Sequence, residues 1–174
     1  MIGFVALATV LLVASLPAAV THAQTPRSDT VVVNVAALYY GLGELRWEHH
    51  LGGRNALQAV VAAGPGGIGA GFADLWLGKV GAQYRYYFAG GFDEGLAFAV
   101  ELAALHMFDD VHQRQGLALS PRGVYKLATS HGATAELQIG GALVGRTGVD
   151  GAGWTVAPQW KFQASIAAAI GWSF

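Results

Sequence analysis

Apolar and polar residues alternate with a period of two along most of the chain after Gln24. The last thirteen residues show it best. Phe162, Ala164, Ile166, Ala168, Ile170, Trp172 and Phe174 occupy one parity, and Gln163, Ser165, Ala167, Ala169, Gly171 and Ser173 the other. Successive side chains of a strand point to opposite faces, so this segment has one apolar face and one small or polar face. The same reading holds upstream and predicts strands over 31–39, 44–50, 55–64, 75–88, 95–106, 115–128, 132–145 and 160–174. The expected fold is all-β, an eight-stranded antiparallel transmembrane up-and-down β-barrel over residues 24–174, since single-chain bacterial barrels have an even strand number.

The connections alternate in length. Leu51–Arg54, Ala89–Glu94 and Thr129–His131 are short, while 65–74, 107–114 and 146–159 are longer. Short turns at one end and longer loops at the other are expected of a membrane barrel. The first connection of the long-loop end, Gly41 to Gly43, is tight and departs from the trend.

The polar parity carries Glu44, Arg46, Glu48, Lys79, Arg85, Glu101, Arg122, Lys126 and Glu136, four acids against five bases, with Gln58, Gln83, Gln138 and Gln163 beside them. Eight strands leave an interior just filled by side chains. Opposite charges placed there can pair, which burial requires of them. The expectation is therefore an inward, paired set of charges and an outward apolar face toward lipid. Aromatic residues sort toward the two ends. Trp47, Tyr86, Phe88, Tyr125, Trp172 and Phe174 fall at one; Tyr39, Trp76, Phe108, Trp154 and Trp160 fall at the other, as two interfacial girdles would.

Composition agrees. Hydrophobic residues make up 53% of the 174 and charged residues only 12%, a balance unusual for a soluble domain. The net charge of −1 gives no field for nucleic acid. With no cysteine, disulfides, thiolate chemistry and cysteine-held zinc are excluded. Residues 1–23 read as a cleavable signal peptide: an apolar run, Ile2–Ala14, is followed by Ser15, Pro17 and a small-x-small site, Thr21-His22-Ala23, before Gln24. No Lys or Arg precedes the apolar run.

Three segments, Glu44-Leu45-Arg46-Trp47-Glu48-His49, Tyr84-Arg85-Tyr86-Tyr87-Phe88 and the ending Ile170-Gly171-Trp172-Ser173-Phe174, resemble the small bacterial outer-membrane β-barrel superfamily, which includes porin-like and lipid A deacylase-like barrels. The resemblance covers most of the chain after residue 23 at the level of pattern. It implies export to the outer membrane, contact with outer-membrane lipids, a monomer, and delivery to the barrel-assembly machinery through an assembly signal, Trp172 and Phe174. It implies no activity.

Candidate chemistry is sparse. Lipid-modifying barrels of that superfamily pair a His with a Ser two residues on, so that both face one side. None of the six histidines has that neighbour, and Ser130 next to His131 faces away from it. Asp109, Asp110 and His112 cluster in a loop and could hold a metal or activate water; a solvated loop is the plainer account. His49 and His50 are adjacent and so poor joint ligands. Gly64–Gly71 is glycine-rich, but no phosphate-binding Lys-Ser/Thr follows. No cofactor is expected. The reading is an outer-membrane barrel of structural or uncharacterised role, adhesive and stress-related roles included, with a plugged, charged interior. A lipid-modifying hydrolase and a secreted lipocalin-like binder with an inward apolar face are the alternatives.

Overall fold

The computed structural model describes residues 27–39, 41–65, 76–108, 113–149 and 155–174. The expected signal peptide, residues 1–23, lies outside them. Eight strands form one closed antiparallel barrel in chain order: β1 (Asp29–Asn34), β2 (Gly43–Gly52), β3 (Asn55–Pro65), β4 (Trp76–Gly90), β5 (Glu94–Phe108), β6 (Gln113–Ala128), β7 (Ala133–Val149) and β8 (Thr155–Ser173). β1 closes on β8 with Val31 opposite Trp172. Closure leaves no open edge, so each strand's backbone donors and acceptors find a neighbour on both sides. Around the junction the Phe174 N–H donates to the Asp29 carbonyl at 2.8 Å, and the Phe174 carbonyl accepts from Ser28 and Asp29.

Burial follows the period of two. On β2, Glu44, Arg46 and Glu48 are inside while Leu45 and Trp47 are outside; on β6, Ala118, Ser120, Arg122, Val124 and Lys126 are inside while Leu117, Leu119 and Tyr125 are outside. Cross-strand partners share a face, so the register carries this sorting round the barrel.

One expected strand is corrected. Residues 35–39 do not extend β1 but form a short helix, α1 (Val35–Tyr39). The Ala37 N–H donates to Asn34 Oδ1 at 3.1 Å, a side-chain cap on the helix start. At its other end Gly41 takes a φ of 80°, and Leu42 N–H returns to the Ala37 carbonyl at 3.0 Å. The tight turn expected at Gly41–Gly43 is thus part of a connection from 35 to 42, whereas the longer loops expected at 107–114 and 146–159 are cut back to 109–112 and 150–154 because the flanking strands run on into them. The other strands exist as expected, several running further than the alternation alone marks: β7 reaches Val149 and β8 begins at Thr155.

Pro121 stands inside β6 without an N–H to give. The β6–β7 pairing skips Ser120 and Pro121, resuming at Arg122 opposite Gly140. Gly140 is needed at that spot: a Cβ there would sit 2.8 Å from Arg122 Cα and overlap the Pro121 carbonyl oxygen. Outside, Phe162 and Trp160 lie over Gly141 and Gly145, covering the backbone those residues leave bare.

Candidate functional site: the inward charges

All nine charges of the polar parity face the barrel interior, at two levels. The level nearer the chain termini centres on Arg85. Its Nη1 and Nη2 each donate to one oxygen of Glu136 at 2.9 Å, a bidentate pair that suits the planar guanidinium. Nη2 also donates to Gln58 at 2.9 Å and Nε to Gln83 at 2.7 Å. Glu48 accepts from Tyr87 Oη and from Lys126 Nζ, both at 2.7 Å, and stands 3.2 Å from Arg85 Nη1. Lys126 donates further to Thr30 Oγ1 at 2.8 Å and lies 3.7 Å from the centre of the Phe92 ring. Two acids and two bases balance here, and Arg85, Lys126, Glu48 and Glu136 are almost wholly buried.

The second level, toward α1, holds Glu44, Arg46, Lys79, Glu101 and Arg122. Glu44 accepts from Asn34 Nδ2 and Arg46 Nε at 2.7 Å, from Arg46 Nη2, and pairs with Lys79 Nζ at 2.5 Å. Lys79 reaches on to Glu101 at 3.2 Å, and Glu101 to Arg122 Nη2 at 3.4 Å. Arg122 Nη1 donates to Gln138 at 3.2 Å and Gln138 Nε2 to Glu136 at 3.3 Å, which links the levels. Register brings polar residues of adjacent strands side by side on the inward face, Gln83 opposite Glu101 and Lys126 opposite Glu136.

Several contributors were not singled out from the sequence. Tyr87 reads as one aromatic in a run of three, yet its parity puts the hydroxyl inside. Phe92 lies between β4 and β5, where no alternation assigns a face; it is buried, stacks on His50 at 5.0 Å between ring centres and caps the interior at that end. Thr30, Ser173 and Thr134 form a hydroxyl chain at 2.8 and 2.7 Å beneath Lys126. Arg27 closes the rim, donating to the Ser130 carbonyl at 2.6 Å and facing Asp93 at 3.6 Å. Gln163 shares the inward face of β8 but is exposed.

Trp172 and Phe174, expected from the sequence to be an assembly signal, are on the outside. Of the aromatics expected in two girdles, all but Trp154, which lies outside the described residues, are exposed, and Trp76 stacks on Phe108 across β4 and β5.

The candidate catalytic groups do not come together. His49 turns to Asp29 at 2.9 Å while its neighbour His50 turns to Phe92. His106 and His131 are exposed, so among the described residues no histidine reaches Ser120 or Ser165 on the inward face. No group of three potential metal ligands occurs among the described residues. Asp109, Asp110 and His112 lie outside them, as does most of Gly64–Gly71. Searches against protein-family profiles, curated proteins and solved structures find no match to this chain.

Proposed function

We propose that this protein is a monomeric outer-membrane barrel whose role is structural, its charged centre serving as a packed core and not as a pore. The observation that carries this reading is the outer surface. Leu45, Val61, Val80, Leu102, Leu117, Ile139, Ile166 and Ile170, on seven strands, are all 45–60% exposed. At about 25 cal/mol per Å², each such side chain left half bare to water forfeits on the order of 1–2 kcal/mol. Over the belt this sums to an amount comparable to the roughly 5–15 kcal/mol net stability of a folded domain. In hydrocarbon that cost vanishes, and the exposed aromatics toward both ends suit the two interfaces.

The inward face argues against a lipocalin-like binder, which needs an apolar interior; here the middle of the barrel is charged and filled. The missing His–Ser pair leaves the hydrolase reading without a site among the described residues. Fractionation tests the proposal. The protein is expected in the outer-membrane fraction, released only by detergent, and folded there with a gel migration that changes on heating. A mature protein that stays folded in buffer without detergent would overturn it.

A further inference from the structure

Beyond the second charge level the inward face changes character. Ala62, Leu105, Met107, Ala118, Ala142 and Val144 form the apolar part of the wall of a cavity of about 270 Å³, with α1 along one side and Ser120, Gln163 and Ser165 as polar points in the wall. At about 30 Å³ of liquid per water, it would hold roughly nine waters. Its floor is Glu44, Arg46, Lys79, Glu101 and Arg122.

Charge is unevenly shared between the levels. The Arg85 level has two acids and two bases; the floor has two acids and three bases. Register adds to the excess. Arg114 lies opposite Met107 and Lys161 opposite Val144, so both share the inward face above the floor, and both are exposed. Among the described residues, no acid shares that face above Glu44 and Glu101. Two cationic donors, Arg46 Nη1 and Arg122 Nε, have no hydrogen-bond partner and lie just beneath the chamber's surface, in residues only 1% and 7% exposed. Glu101 Oε2 accepts no hydrogen bond either, and meets only the Arg122 ion pair at 3.4 Å.

We infer that this chamber binds a small monoanionic amphiphile, a carboxylate on a short apolar chain. The carboxylate settles over Arg46, Lys79 and Arg122, and the chain lies along Leu105, Met107 and Val144. The floor's single surplus positive charge matches the carboxylate, while Arg114 and Lys161 on the same face above it draw anions in. A dianion such as phosphate would press its second charge on Glu44 and Glu101 and leave the apolar wall wet. A cation would meet the wrong sign. Met107, unbranched and polarizable, can fit its shape to different chains. The site lies within the barrel and does not depend on what surrounds the outer face.

The test is calorimetry on the full barrel folded in dodecyl maltoside, titrated with hexanoate, hexylammonium and hexanol, each corrected against empty micelles. Saturable one-to-one binding of hexanoate is expected, with none of hexylammonium. Losing a charged donor should weaken hexanoate about tenfold or more in Arg122→Gln. Ala142→Leu fills part of the chamber, leaves every charge in place and should weaken it as well. Heat-modifiable gel migration shows which variants fold; if Arg122→Gln does not, Ala142→Leu decides. The inference falls if the folded parent shows no saturable hexanoate binding, if hexylammonium binds as tightly, or if the folded variants bind like the parent.

Discussion

Arg85 shows how a buried charge is held in this interior. Its guanidinium is spread over Glu136, Gln58 and Gln83 by hydrogen bonds and over Glu48 by charge. Cutting one partner from a buried network leaves the others uncompensated in a medium of low dielectric, at a cost of about 3–5 kcal/mol. Arg85→Met should therefore lower the unfolding free energy by about that amount, read from urea unfolding of the barrel in lipid vesicles. Arg122→Gln should cost less, about 1–3 kcal/mol, because Glu101 keeps Lys79 at 3.2 Å. A melting temperature for Arg122→Gln equal to the parent's would remove this residue from the supporting network. Parity alone is enough to place these charges in the sequence, because a strand residue has only two faces to choose between. It cannot name their partners. Lys126 finds Thr30 and Glu48, 96 and 78 residues away, and only closure of the sheet brings them within reach.

Among the elements, α1 marks where alternation loses its meaning. Val35, Ala36, Ala37, Leu38 and Tyr39 are all apolar, so no face is assigned and a strand is as natural a reading as a helix. The deciding residue is Asn34, whose side chain caps Ala37. Strand ends are similarly obscure, because the polar residues beyond the apolar belt carry no contrast between faces. The β6–β7 seam depends on one glycine. In Gly140→Ala the added methyl meets backbone of Pro121 and Arg122, which cannot swing aside. A loss of about 1–3 kcal/mol is expected by urea unfolding, and no change would mean the seam relaxes. Phe174 allows a cleaner separation. Its backbone makes the closing hydrogen bonds, while its ring is 61% exposed. Phe174→Ala should refold in detergent with stability within about 0.5 kcal/mol of the parent, yet accumulate less folded barrel in cells. Equal cellular levels would show that the ring is no assembly signal.

At the scale of the whole molecule, the question is whether a closed barrel is also a tube. Eight strands enclose little more than the volume of their own side chains. At the Arg85 level Glu48, Gln58, Gln83, Arg85, Lys126, Glu136 and Gln138 are at most 2% exposed, so water does not reach past them. Phe92 and Tyr87 seal the same region toward the chain termini, and the chamber on the α1 side is a dead end above this layer. An ion crossing the barrel would have to part pairs held at 2.7–3.2 Å and shed its own hydration in the same step. Both costs run to several kcal/mol, far above thermal energy. Purified protein in a planar bilayer should accordingly show no stable conductance steps. Arg85→Met, if it inserts, should pass at most brief openings, because Gln58, Gln83 and Gln138 still fill the cross-section. Long-lived steps from the parent barrel would mean that the packed layer opens, and a structural role for its charges could not stand.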